Sequence, residues 1–251
     1  MARLDGKVAL VTGAAHGLGA VYAKALAAEG ARLVVSDVVD CQPVVDAITA
    51  TGGEAIAQIC DVTDNDALKA SVTGAEDAFG PIEILITNAA LFVALRRRPF
   101  EEIDEEEWDR VMRINVRGTF QTIKAVVPSM RKCGRGKIIN ISSGTVLAGA
   151  PQFLHYVASK GAIMAMSRSL SRELGGDNIC VNTIAPGLTE SEGLADHPDY
   201  DEARAGSVSQ RAFKRDMVPD DLTGTVLYLA SPDSDFLTGQ MINVDGGRSN
   251  Y

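Results

Sequence analysis

Tyr156 and Lys160 stand four residues apart in H-Y-V-A-S-K, and Ser143 lies thirteen residues before the tyrosine. A phenol, an ammonium and a hydroxyl together can move a proton. A free tyrosine titrates near ~10, whereas proton transfer at neutral pH is best served by a group near ~7. An ammonium one helical turn away lies on the same face and favours the phenolate. The spacing therefore predicts that Lys160 draws the Tyr156 pKa down. Y-x-x-x-K alone arises in many helices by chance, so its meaning depends on its surroundings. Ser142 adjoins Ser143, and periodicity does not choose between them.

A second chemical feature lies near the N-terminus. Thr12-Gly13-Ala14-Ala15-His16-Gly17-Leu18-Gly19 joins a strand pattern to a helix pattern. Glycines there permit a tight turn and close approach of backbone to a pyrophosphate. The following helix offers unpaired N–H groups and a partial positive charge. The bland alternative is an ordinary strand–helix turn. No G-K-[ST] follows, so a triphosphate loop is unsupported. Asp37 ends the second strand pattern and could accept hydrogen bonds from an adenosine ribose. Its carboxylate would repel a 2′-phosphate, and Val38 follows where a phosphate would favour arginine. Both features predict NAD rather than NADP. Asp61-Val62 closes the third strand pattern, where an adenine would lie.

The elements that position these residues alternate. Strand patterns fall at 7–12, 31–37, 54–60, 82–87, 137–142, 178–185 and 240–244. Helical periodicity covers 17–29, 64–79, 104–131, 153–175 and 219–230, with a helix starting at the proline of P-V-V-D-A-I-T-A. Alternation of this kind predicts an α/β fold: one doubly wound parallel sheet with helices on both faces. No linker or repeat divides the 251 residues, so a single domain is expected. Residues 188–218 read as a polar, irregular lid over the carboxyl ends of the strands.

Composition narrows the function. The formal net charge is −9, which disfavours nucleic acid and anionic membrane surfaces. No apolar run approaches the length of a membrane span. Cys41, Cys60, Cys133 and Cys180 show no metal-ligand spacing, so no metal is expected. The start, M-A-R-L-D-G-K, runs directly into a strand without a signal-peptide core. A cytoplasmic protein with reduced thiols is expected.

With T-G-x-x-x-G-x-G, N-A-A after the fourth strand, and S…Y-x-x-x-K, the chain resembles the short-chain dehydrogenase/reductase family. The likeness extends to P-G at 186–187 and D-G-G at 245–247. It implies a catalytic set of Ser143, Tyr156 and Lys160, with Asn115 in a proton relay. The family spacing selects Ser143 over Ser142. It implies that Asn88 contacts the adenosine ribose region and that Thr189, after Pro186-Gly187, reaches the nicotinamide carboxamide. It also implies a homotetramer. The family pattern N-N-A-G departs here to Thr87-Asn88-Ala89-Ala90. A methyl at Ala90 would be strained if that position required positive φ.

Asn115 can also be read without the resemblance. It shares a largely apolar stripe with Trp108, Val111, Met112, Thr119 and Val126, so it is expected to be buried and partnered. It reads either as a structural amide or as part of a kinked helix holding water near Lys160. Phe92, Leu147, Phe153 and Leu188 suggest an apolar pocket, or else core and lid packing. Arg96-Arg97-Arg98 reads as a solvated or subunit-facing run, and His155 as packing or surface. The expected activity is NAD-dependent oxidation of an apolar secondary alcohol, aryl or alicyclic, or the reverse reduction of the ketone. Two alternatives are an NADPH-dependent 3-oxoacyl thioester reductase and a non-catalytic dinucleotide-binding protein. The acidic lid (Glu190, Glu192, Asp196, Asp199, Asp201, Glu202) disfavours an acidic acyl carrier.

Overall fold

The computed structural model describes residues 2–191, 194 and 200–249. Its strands are β1 (Val8–Thr12), β2 (Arg32–Asp37), β3 (Glu54–Ile59), β4 (Ile84–Thr87), β5 (Gly136–Ile141), β6 (Ile179–Pro186) and β7 (Met241–Val244). Its α-helices are α1 (Gly17–Ala28), α2 (Gln42–Ala50), α3 (Asn65–Phe79), α4 (Glu105–Val111), α5 (Gly118–Cys133), α6 (Thr145–Ala148), α7 (Leu154–Leu174), α8 (Tyr200–Gln210) and α9 (Asp220–Ala230). Among the described residues the strands form one parallel sheet in the order β3-β2-β1-β4-β5-β6-β7.

The order reverses between β1 and β4. That switch point opens a crevice beyond the carboxyl ends of the strands. Burial follows from two covered faces. In β1, Ala9 and Val11 pack with Tyr22 and Leu26 of α1 and Val226 of α9. Val8 and Leu10 point the other way, toward Ile123, Val126 and Met130 of α5. A strand apolar on both sides cannot show alternation, which is why V-A-L-V-T reads as a continuous buried run.

Two differences from the sequence reading have physical causes. The long helix expected over 104–131 is interrupted. A π-helical turn, Met112–Arg117, separates α4 from α5 and carries Asn115. The apolar stripe runs straight through it, so periodicity did not mark the break. Within 188–218, expected to be irregular, lies the eleven-residue helix α8. Its sequence is polar nearly throughout, and only Tyr200 and Ser207 are buried. It therefore has no apolar face to announce it. Glu192, Asp196 and Asp199, expected to belong to a lid, lie outside the described residues.

The glycine turn is fixed by close approach. Gly13 has φ 63, and a Cβ there would meet the Ala89 Cα at 2.6 Å. Gly13→Ala should destabilise the fold by more than about 1 kcal/mol, from left-handed backbone and contact together. Urea unfolding of the two proteins checks this; equal midpoints would contradict the packing described.

Candidate active site

The end of β5 and the first two turns of α7 supply the reactive groups. Ser142 and Ser143 follow β5, and their surroundings separate them. The Ser142 hydroxyl is buried and donates to the Lys160 carbonyl at 2.8 Å, a structural duty. Ser143 Oγ accepts from the Thr145 amide at 3.3 Å and pairs with the Thr145 hydroxyl at 3.0 Å. The amide contact engages an oxygen lone pair and leaves the Ser143 proton for another acceptor. Lys160 is buried, and Nζ donates to the Ile141 carbonyl at 2.9 Å. It lies 5.7 Å from the centre of the Tyr156 ring.

The electrostatics differ from the simple spacing argument. Burial pushes the Tyr156 phenol up to about 12, with the Ser143 hydroxyl acting in the opposite direction. Burial pushes the Lys160 ammonium down to about 8. The expected lowering of the tyrosine by the lysine is therefore not met in the protein alone. Desolvation disfavours both charged forms, and the ammonium is turned toward a backbone carbonyl. At neutral pH the phenol holds its proton.

Asn115 sits where the π turn faces α7. Its Oδ1 accepts from the Leu91 amide at 2.7 Å. Its Nδ2 donates to Ser159 Oγ at 3.0 Å and to the Leu91 carbonyl at 3.3 Å. Its own carbonyl accepts from the Thr119 hydroxyl at 2.7 Å. The side chain thus ties the segment after β4 to α7, with its amide engaged on both ends. For Ser159 the sequence carries no signal beyond its place one residue before Lys160.

At the switch point, Asn88 Nδ2 donates to the carbonyls of Thr12 (3.1 Å) and Gly13 (2.7 Å). This amide holds the glycine turn against the end of β4. Asp37 accepts from the Ala15 amide at 3.0 Å and the Val38 amide at 2.7 Å. Its two oxygens keep acceptor capacity beyond those bonds. Val38 and Val39 beside it are exposed. Helix α1 begins at Gly17 after His16, without a side-chain cap. Gly17 has φ 59 and open space where a Cβ would stand. Leu18 follows on the first turn, and Gly19 is packed beneath, close to Gly13 and Asn88.

The remaining expected contacts line the same sheet edge. Asp61 is exposed and caps its own turn through the Thr63 amide at 2.8 Å, and Val62 is buried. Pro186 ends β6, and a Cβ on Gly187 would stand 2.9 Å from the Asp245 Cα. The Thr189 hydroxyl donates to the Gly187 carbonyl at 3.0 Å. Ala90 is exposed and lies outside the positive-φ region, which among described residues with side chains holds only Gln152 and Asn178. The strain considered at Ala90 is absent.

Two aromatic rings gather at the phenol. Phe92 and Phe153 each lie 5.0 Å from the Tyr156 ring, and 5.9 Å from each other. Leu95 and Val111 join that cluster, with Leu91 and Ala150 packed against it. Leu147 and Leu188 are half-buried and stand outside it. Beneath the site runs a polar chain that sequence reasoning missed. Thr87 Oγ1 donates to Asn140 Oδ1 at 2.6 Å, and Asn140 Nδ2 donates to Ser167 Oγ at 2.8 Å. Thr183 Oγ1 also donates to Ser167 Oγ, at 2.8 Å. Polar residues within buried strands were the signal, since buried polar groups require partners.

Comparison with known proteins identifies the family. The family model described as enoyl-(acyl carrier protein) reductase matches residues 13–249. The chain is 34% identical to the 3-oxoacyl-[acyl-carrier-protein] reductase FabG of Thermotoga maritima, over 98% of each. It is 38% identical to galactitol 2-dehydrogenase of Agrobacterium fabrum, again over 98% of each. A solved Agrobacterium tumefaciens structure with bound NADP, assigned provisionally as a 2-deoxy-D-gluconate 3-dehydrogenase, matches with TM-score 0.88. It shows 32% identity over 98% of this chain and 97% of that one. The chain belongs to the short-chain dehydrogenase/reductase family, oxidoreductases that interconvert alcohols and ketones. No helix of the described residues is long and apolar enough to cross a membrane.

The lysine gives a test with a definite sign. Folded Lys160 loses its proton near 8, against 10.5 for the ordinary group. Between those values the unfolded chain binds more protons, so stability from this group rises with pH and is lost as pH falls back toward about 8. Without dinucleotide, wild-type stability should therefore rise relative to Lys160→Met between about pH 8 and about pH 10.5, measured by chemical denaturation. A constant or shrinking difference would show that Lys160 is not desolvated.

Proposed function

We propose that the protein is an NAD-dependent dehydrogenase of apolar secondary alcohols, aryl or alicyclic, working also in the reverse direction on ketones. The convergence of Ser143, Tyr156 and Lys160 at the carboxyl end of the sheet, beside an uncapped helix N-terminus, carries this reading.

The residues present fit a dinucleotide. The first-turn amides of α1, with open space at Gly17, suit a pyrophosphate. Asp37 suits ribose hydroxyls, and the exposed Val38 and Val39 give a 2′-phosphate no cation. Asn88, Asp61, Val62, Pro186, Gly187 and Thr189 line the rest of the crevice edge in this reading. Bound, the dinucleotide supplies the hydride acceptor for oxidation, or the donor in its reduced form, and its oxidised ring adds positive charge.

The protein's own groups handle the proton and the alignment. Ser143 donates its hydroxyl proton to the substrate oxygen and holds it in line with Tyr156. In reduction the Tyr156 phenol, which burial keeps protonated at neutral pH, gives its proton to the developing alkoxide. In oxidation the deprotonated Tyr156 receives the hydroxyl proton. Positive charge near the phenol, including Lys160 once turned from Ile141, lowers its pKa for that direction. Asn115 keeps the segment carrying Phe92 fastened to α7, and the rings of Phe92 and Phe153 exclude water from the phenol. These rings favour an apolar substituent on the carbinol carbon.

Two substitutions separate this reading from its rivals. Tyr156→Phe should lower kcat about a hundredfold or more while dinucleotide binding, followed by fluorescence titration, persists. Undiminished turnover would sink the mechanism. Asp37→Ala should narrow the preference for NAD over NADP. Wild-type turnover with NADP equal to or above that with NAD would favour the thioester-reductase alternative.

A further inference from the structure

His155 adjoins the proposed proton carrier and takes no part in its chemistry, yet it is fully buried. Its Nε2 lies 3.1 Å from Glu107 Oε1. Its Nδ1 has no hydrogen-bond partner among the described residues. A buried, unpaired ring nitrogen costs free energy. A phenyl ring would fill similar space without that cost, but it could not hold Glu107. Glu107 in turn meets Arg98, with Nη2 3.4 Å from Oε2. The Arg98 amide donates to the Gln152 carbonyl at 3.0 Å. Gln152 holds a left-handed backbone, φ 64, which a side chain adopts only under constraint.

These contacts close a ring. Arg98 lies on the segment after β4, Glu107 on α4, Gln152 in the turn before α7, and His155 on α7. The aromatic wall hangs on it. The Phe153 ring meets the His155 ring edge-on at 5.8 Å and 90°, and Phe153 lies against Phe92 and Tyr156.

We propose that Glu107 and His155 are positioning residues that set substrate selectivity, by holding Phe153 and the Phe92-bearing segment in place beside Tyr156. Neither touches the reacting atoms. The inference rests on the reading of this pocket as a secondary-alcohol site. Discrimination between enantiomers depends on how the larger substituent meets that wall, and a small shift of the wall changes alignment with Ser143 and Tyr156.

The test compares wild type with His155→Ala, His155→Gln and Glu107→Gln. Each is assayed with the two enantiomers of 1-phenylethanol and NAD. Hydrogen exchange over 91–98 and over the glycine turn is measured on the same proteins. In His155→Ala the alcohol KM should rise about tenfold and the enantiomer preference should fall about tenfold, the scale of one weakened buried contact. The NAD KM should stay within about twofold, since the cofactor crevice is untouched. Exchange at the Arg98 amide should quicken about tenfold, while the glycine turn should not change. Glu107→Gln should shift the same readouts in the same direction. His155→Gln, which keeps a donor for Glu107, should recover most of the loss. Alcohol and NAD KM rising together with enantiomer preference intact would overturn the proposal. Unchanged exchange at Arg98 would overturn it too. If wild type oxidises no secondary alcohol with either dinucleotide, the functional reading fails, and the exchange data still decide whether the ring holds the wall.

Discussion

The bond from Lys160 Nζ to the Ile141 carbonyl fastens α7 to the end of β5. The reverse tie, from the Ser142 hydroxyl to the Lys160 carbonyl, doubles it. These two buried contacts set the distance between the end of β5, which Ser143 follows, and the helix that carries Tyr156. They also take both charged forms out of water. The raised phenol and the lowered ammonium are consequences of that burial. The site is thus a desolvated pair awaiting charge, rather than a pair already balanced between its own members.

The same logic runs outward from the pair. Asn115, exposed to neighbours on both sides by the π turn, joins α7 to the segment after β4. Asn88 joins the end of β4 to the glycine turn. Asp37 joins that turn to the end of β2. Asn88 and Asp37 act as short polar side chains at strand ends bonded to backbone, and Asn115 bonds both the Leu91 backbone and the Ser159 hydroxyl. A parallel sheet places all these ends along one edge, so local bonds suffice to align the crevice from β2 to β6.

The sequence made the sheet legible because its strands are continuous apolar runs bounded by polar turns, as in V-A-L-V-T and I-L-I-T. Ser143, Tyr156, Lys160, Asp37 and the glycines were legible as types at spacings. Four features were not. The π turn leaves the apolar stripe intact, so periodicity does not mark it, and only the kinked-helix reading of Asn115 points to it. Helix α8 has no apolar stripe to read. The pKa directions depend on burial, which no spacing reports. The partnership of His155 with Glu107 joins residues far apart in the chain, and nothing in either neighbourhood points to the other. Ala90 shows the converse: a departure from a family pattern looked costly, and the backbone there needs no glycine.

Burial holds the phenol protonated until positive charge arrives beside it. Ultraviolet difference titration of wild type against Tyr156→Phe reads that one ionisation directly. Without dinucleotide the phenol should titrate near about 12. With saturating NAD⁺ the midpoint should fall by at least about two pH units. A midpoint already well below 10 in the protein alone, or one that NAD⁺ leaves in place, would contradict the account.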